Sequence, residues 1–346
     1  MAGADTLSAY TVDRYAYLSQ VVQKLSENEH KGLIVLDGDK VCGTFTRADM
    51  VRCSHCMGMQ DVTVEEFFNR SFTAAHTPEE AESMKHSIIP VVDEKGKLTD
   101  ICFPIFRHSS SHLFPVVVMA GGKGTRLYPY TRILPKPLVP LVGEQPMVET
   151  IMDRFHSYGP DQFFMIVNYK KEMIKDYFKD VELDYSVSFR DETTALGTGG
   201  GLYLVRDDID ETFCLTNCDI ILRENLDEIY EFHKESGNLI TMITALMPVS
   251  VPYGVIKVDE RQKIREMVEK PTYMMLVNIG IYFVEPEVFH YLSDKEKVDF
   301  PTLIGRVKED GKAVGVYPIT NDSWLDMGQV NSYEHAREVL RMKLGR

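Results

Sequence analysis

The stretch that decides how this chain is read is "VVVMAGGKGTRLYPYTRILPKPLVPL", residues 116–141. Four apolar residues with a β-branched run make a buried strand. They pass directly into a loop holding Gly121, Gly122 and Gly124, with Lys123 and Arg126 close by. Small residues let backbone N–H groups approach phosphate oxygens, and a guanidinium adds a fork of donors suited to the same anion. Lys136 then stands between Pro135 and Pro137. The prolines fix their own φ, and Pro137 disfavours helical backbone at Lys136, so an extended lysine aimed at one point is expected. Two common phosphate loops do not fit. A Walker A loop needs glycine where Val117 stands and Ser or Thr where Gly124 stands, and a dinucleotide fingerprint needs glycine where Leu127 stands.

Strands and helices alternate on either side of this loop. "PMVETIMDRF" (146–155) and "KEMIKDYF" (171–178) have helical spacing, as does "NLDEIYEFH" (225–233). "QFFMIVN" (162–168), "YSVSF" (185–189), "TFCLTNCD" (212–219) and "LITMITALM" (239–247) read as strands. This order predicts an α/β domain, Rossmann-like, with a largely parallel sheet whose ligands bind beyond the carboxyl ends of the strands. A short helix from Ser332 to Leu344 ends the pattern, and no hexapeptide repeat follows it.

Ahead of this region the chain repeats itself. "HKGLIVLDGDKV" from His30 and "HSIIPVVDEKGKL" from His86 each have two apolar runs around an aspartate-led turn, Asp37 or Asp93, which is a hairpin signal. Each follows a helix. Leu18, Val21, Val22 and Leu25 make one apolar face, and Thr77-Pro78-Glu79-Glu80 carries the capping-box signature. Units so small can bury their faces only against each other, so one small pseudo-symmetric α+β domain is expected over residues 1–108. The serine-rich stretch from Arg107 to His112 reads as a linker, with a second domain at 113–346.

Composition narrows the classes. With 346 residues, two domains is the better prior. A formal net charge of −14 argues against nucleic acid or an anionic membrane surface as partner. No run of about 18 apolar residues is present, and the start of the chain lacks a signal-peptide pattern, so a cytoplasmic location is expected. Of six cysteines, Cys53 and Cys56 make the one C-x-x-C; without a second such pair they read as reduced thiols rather than a zinc site.

Two resemblances add to this reading. The first hairpin with "GTFTRADM" (43–50) resembles a CBS domain, and the repeat resembles a CBS pair over residues 8–108. The resemblance implies AMP or ATP as a regulatory ligand at Thr46 and Asp49. The second copy, "LTDICFPIF" (98–106), lacks the Thr-x-x-Asp. The stretch from Gly121 to Pro137 is similar to the signature of sugar-1-phosphate nucleotidyltransferases, G-G-x-G-T-R-L-x-P-x-T…P-K-P, with further matches over residues 115–335. It implies the GT-A-like fold of that family.

The second resemblance also implies site residues. Arg126, Lys136 and Asp219 would be catalytic, and Ala120, Gly121, Gly122, Gly124 and Thr125 would cradle the NTP. Glu192 and Gly197 would face the base; a glutamate can accept guanine's N1–H and amino protons, which favours GTP. Gly254, Glu269, Lys270 and Asn278 would hold a hexose 1-phosphate of glucosamine or mannose type, and Asp219 with Asp326 a Mg²⁺ ion. The family usually shows glycine where Cys218 stands. Uridylyl or thymidylyl transfer to glucose 1-phosphate stays open, as do cytidylyl transfer to a non-sugar phosphate and a non-catalytic nucleotide sensor. A homo-oligomer is expected, because CBS pairs associate.

Overall fold

A computed structural model describes residues 4–28, 32–53, 62–84, 88–103 and 112–344. The chain divides into two compact units, Met1–Arg107 with Thr244–Val277 and Pro318–Asp322, and His108–Ile243 with Asn278–Tyr317 and Ser323–Arg346. His55, Cys56 and most of the expected linker lie outside the described residues. Among the described residues no helix is long and apolar enough to cross a membrane.

The larger unit is built on a seven-stranded sheet. Its strands are β1 (Val116–Met119), β2 (Gln162–Val167), β3 (Ser186–Asp191), β4 (Phe213–Asn217), β5 (Ile240–Ser250), β6 (Thr272–Val284) and β7 (Val314–Thr320). Their spatial order is β3-β2-β1-β4-β6-β5-β7. The first four are parallel, with Val116 opposite Phe163 and Cys214. β6 then runs antiparallel to β4. The run of Val116, Val117 and Val118 is wholly buried, as a strand covered on both faces requires.

Helices α1 (Met147–His156), α2 (Lys171–Asp180), α3 (Leu226–Ser236), α4 (Phe300–Glu309) and α5 (Val330–Leu344) complete this unit. α3 shows why they form where they do. Asn225 caps its start by accepting from the Asp227 N–H at 3.0 Å, and Gly237 ends it at φ +63°. Phe300, Leu303 and Val307 of α4 enter the core with Val117, Phe164 and Leu202.

In the smaller unit the two hairpins, Gly32–Asp37 with Lys40–Thr46 and Ile89–Val92 with Leu98–Cys102, bury Ile34, Ile88 and Ile101 together. Their turns also pair, with the Val41 N–H donating to the Gly96 carbonyl at 3.0 Å. The expected capping box forms at Thr77, whose hydroxyl accepts from the Glu80 N–H at 3.2 Å. Its return bond reaches one residue further back, to the His76 N–H at 2.8 Å. The first hairpin's core of Leu25, Leu33 and Phe45 also takes in Leu246, Met274 and Leu276, from the ends of β5 and β6 in this unit.

Candidate active site

β1 stops at Met119 because the next residues are chosen for close approach rather than pairing. A Cβ on Gly121 would lie 2.7 Å from Glu192 Oε2, and one on Gly124 would lie 2.8 Å from the Lys136 Cβ. Gly124 also holds φ +65°, a left-handed conformation that glycine adopts without strain. The Thr131 hydroxyl donates to its carbonyl at 2.7 Å and fastens the far side of the loop. Glycine here lets the loop lean on the stem of Lys136.

Lys136 departs from the sequence expectation. Residues Lys136–Leu138 form a single 3-10 turn instead of extended backbone. Two bonds close it, Leu138 N–H to the Pro135 carbonyl at 3.0 Å and Val139 N–H to the Lys136 carbonyl at 3.1 Å. They outweigh the bias that Pro137 imposes on the preceding residue. Lys136 is still fixed, by a turn rather than by extension. Its ammonium is nearly buried and donates to Asp219 Oδ2.

Asp219 follows β4, and the short strands Ile220–Leu222 and Trp324–Asp326 pair antiparallel so that Ile220 faces Asp326. The Met327 N–H donates to the Asp219 carbonyl at 2.8 Å and locks this junction. A Cβ on Gly328 would meet Asp219 Oδ2 at 2.7 Å and Asp326 Oδ1 at 2.9 Å, with an Arg126 nitrogen at 3.7 Å. Two carboxylates and a guanidinium therefore converge on a point that a larger residue would fill. Hard oxygen donors facing one small space suit a hard divalent cation. Among the described residues, no cluster of three or more His, Cys, Asp or Glu side chains is placed to hold a metal ion, here or elsewhere, so these two carboxylates stand as a pair.

Arg126, Lys136, Asp219 and Gly328 line one cleft of about 400 Å³ at the carboxyl ends of β1 and β4, within the size range of small-molecule sites. Asp326 stands behind Gly328, off the wall, its Oδ1 accepting from the Gly328 N–H at 2.7 Å. The walls of the cleft include Gly121, Gly122, Gly124, Thr125, Arg126, Lys136, Glu192, Gly197 and Asp219. Ala120 is not on the wall; it is buried beneath the loop, its N–H bonded to the Ile166 carbonyl at 2.9 Å. Cys218 lines the cleft as well, and burial pushes its thiol up to about 12, so it is protonated at neutral pH. Glu192 is largely buried. Its Oε1 accepts from the Leu196 N–H at 3.3 Å, and Asn168 bonds it too, yet burial dominates and raises its carboxyl above the usual range.

The cleft also holds residues that sequence reasoning missed, among them Thr198, Asn217, Asp299 and Gly328. Thr198 lies in the glycine-rich stretch "TALGTGGGL" (194–202) beside Gly197. Asp299 had a legible signal of another kind, an N-cap residue followed by proline at the second helical position. That pattern announces a helix start, not a neighbour for Gly197.

In the smaller unit Gly254 and Glu269 are neighbours, a Cβ on Gly254 falling 2.9 Å from Glu269 Oε2. Lys270 takes φ +46°, and its N–H donates to the Tyr253 carbonyl at 3.2 Å. Asn278, in the larger unit, donates to the Tyr282 hydroxyl at 2.6 Å. Thr46 and Asp49 satisfy one another. Asp49 Oδ2 accepts from the Thr46 N–H at 2.7 Å and its hydroxyl at 3.0 Å, and Arg52 closes on Oδ1. Asp49 is buried, and that burial raises its carboxyl despite these bonds.

The sequence pattern of the Nucleotidyl transferase family matches residues 115–342. The chain belongs to the nucleotidyl transferase family. A CBS domain pattern matches residues 6–55 of this nucleotidyl transferase. It is 30% identical over 245 residues to a UTP–glucose-1-phosphate uridylyltransferase of Synechocystis, covering 64% of this chain and 61% of that protein. It is 31% identical over 231 residues to mannose-1-phosphate guanylyltransferase 1 of Arabidopsis thaliana, covering 63% and 62%. The nucleotidyl transferase thus spans about three fifths of the length of these relatives. Among solved structures it shares its fold with HddC from Yersinia pseudotuberculosis, at 22% identity and TM-score 0.53 over 66% of this chain and all of that one. The UDP-glucose pyrophosphorylase from Acinetobacter baumanii has the same fold, at 18% identity and TM-score 0.54 over 67% and 94%.

Proposed function

We propose that the chain transfers a nucleoside monophosphate from an NTP, with GTP favoured, to a hexose 1-phosphate of glucosamine or mannose type. The products are an NDP-sugar for surface glycan synthesis and pyrophosphate. The observation that carries this reading is the convergence of Arg126, Lys136, Asp219 and Asp326 at the open end of a glycine loop. Uridylyl or thymidylyl transfer to glucose 1-phosphate is the second reading, favoured by the similarity to a UTP-dependent relative.

The chemistry needs no general base. The second pKa of a phosphate monoester is about 6, so the sugar phosphate is already mostly dianionic at neutral pH. One of its oxygens attacks the α-phosphorus, the bond from that phosphorus to the β-bridging oxygen breaks, and pyrophosphate leaves with the electron pair. Catalysis then consists of in-line alignment and neutralisation of charge. Backbone N–H groups of Gly121 to Thr125 cradle the triphosphate, and Arg126 and Lys136 meet its charge. Asp219 and Asp326 would hold Mg²⁺, which supplies Lewis-acid charge neutralisation when bound. Gly254, Glu269, Lys270 and Asn278 are assigned to the sugar 1-phosphate, Glu269 to hydroxyls and Lys270 to phosphate.

We assign the transferase to residues 113–346 and a regulatory CBS pair, with AMP or ATP as ligand, to residues 1–108. A cytoplasmic homo-oligomer is part of the same proposal. The test is a matrix of NTPs against sugar 1-phosphates with Mg²⁺, read as pyrophosphate release. Turnover is expected with GTP and an amino- or mannose-type hexose 1-phosphate. Turnover confined to UTP or dTTP selects the second reading, and none with any pair overturns both.

A further inference from the structure

Asp299 stands at the N-cap of α4 but does not cap it. An aspartate in this position ordinarily accepts from one of the next backbone N–H groups. Here the Thr198 hydroxyl takes the Phe300 N–H at 3.0 Å, while the Asp299 carbonyl takes those of Thr302 and Leu303. The carboxylate is exposed, and among the described residues none donates to it.

Its position is nonetheless firm. The Val298 N–H donates to the Leu196 carbonyl at 2.9 Å, and the Val298 carbonyl accepts from Gly199 and Gly200 at 2.9 and 2.8 Å. Three backbone bonds thus tie this residue's neighbour to the glycine-rich stretch around Gly197. Gly197, at φ +79°, leaves the space into which the carboxylate reaches; a Cβ there would lie 2.6 Å from Asp299 Oδ1. The result is an acceptor on the cleft wall whose helix duty another residue performs.

We propose that Asp299 is a specificity-determining residue, accepting hydrogen bonds from neutral donors of a substrate rather than binding phosphate. A fixed negative charge opposes a triphosphate, so the partner is an N–H or hydroxyl donor. Two parts of the substrates offer such donors, the nucleoside and the hexose. A hydrogen bond to a charged acceptor contributes more than a neutral one. Glu192, by contrast, is largely buried and already accepts from Leu196 and Asn168. The assignment rests on the nucleotidyl-transfer reading above.

The experiment uses Asp299→Asn and Asp299→Ser in the full chain. Asn and Ser are both good N-cap residues, so either preserves the helix start while removing the charge. KM and kcat are measured separately for NTP and sugar 1-phosphate, with melting temperature alongside. We expect KM for one substrate to rise about tenfold, the effect of losing about 1.4 kcal/mol, with kcat within threefold and melting unchanged. A rise confined to the NTP names the nucleoside as donor, and a rise confined to the sugar phosphate names the hexose. Both KM values within twofold of wild type in both variants overturn the proposal. Should wild type turn over no pair, the functional reading falls, and calorimetric Kd values for GTP, UTP and glucose 1-phosphate still decide Asp299 by the same tenfold criterion.

Discussion

Asp49 and Asp219 are both buried carboxylates, and each meets a cation, Arg52 in one case and Lys136 in the other. Their surroundings differ in one respect. Thr46 and Arg52, which hold Asp49, both lie within three residues of it, so the Thr-x-x-Asp closes on itself at the start of a helix. Asp219 takes its cation from 83 residues away and shares its space with a carboxylate from a different strand. A motif satisfied by its own neighbours needs no ligand to be stable. One assembled from distant segments gathers charged side chains that local structure does not require, which is the mark of a candidate site.

The largest effect expected from this contrast is at Lys136. Lys136→Ala should lower steady-state pyrophosphate release by at least about two orders of magnitude, as loss of a preorganised charge donor commonly does. Turnover within threefold of wild type would break the comparison at its strong end. Asp326→Asn should then raise the magnesium concentration needed for half-maximal rate, and chelation should abolish turnover reversibly. If neither happens, the paired carboxylates hold no metal.

Gly197→Ala comes next. It forces φ +79° on a residue with a Cβ, which would sit 2.6 Å from Asp299 Oδ1 and 2.7 Å from the Val298 carbonyl. A cost of about 1–3 kcal/mol is expected in denaturant unfolding. Thr46→Ala should cost only about 1 kcal/mol, the ordinary net effect of losing one hydrogen bond, here the hydroxyl's to Asp49 Oδ2. An AMP or ATP response of the enzyme that Asp49→Ala abolishes would erase the distinction between the two sites.

The smallest effect concerns Glu192. Its carboxyl in the fold lies above the ordinary value of 4.5, with burial as the main cause. Between those two values the unfolded chain releases its proton first, so stability falls as pH rises through that window. Glutamine has no proton to release there. The melting-temperature advantage of Glu192→Gln over wild type should therefore grow from pH 4.5 upward and then level off. A difference that stays flat across that range would show that burial does not disfavour this carboxylate.

Much of this was legible in the residues because it is local. The valine run before the glycines read as a buried strand, and the spacing of residues 225–233 read as the helix α3. The two hairpins and the Thr77 cap were equally plain. The antiparallel entry of β6 beside β4 was not, since pairing partners 60 or more residues apart leave no local trace. Nor did proline spacing reveal the 3-10 turn at Lys136, which depends on two backbone bonds.

The sequence by itself determined which side chains could meet phosphate: glycines without Cβ atoms, an arginine, and a lysine set between prolines. Only the tertiary structure decided who stands beside them. It placed Asp326 next to Asp219 across a two-strand junction, buried Glu192 beneath Gly121, and set Asp299 in the space Gly197 leaves open. Backbone conformation is a property of a few adjacent residues. Proximity between charges is a property of the whole packed chain.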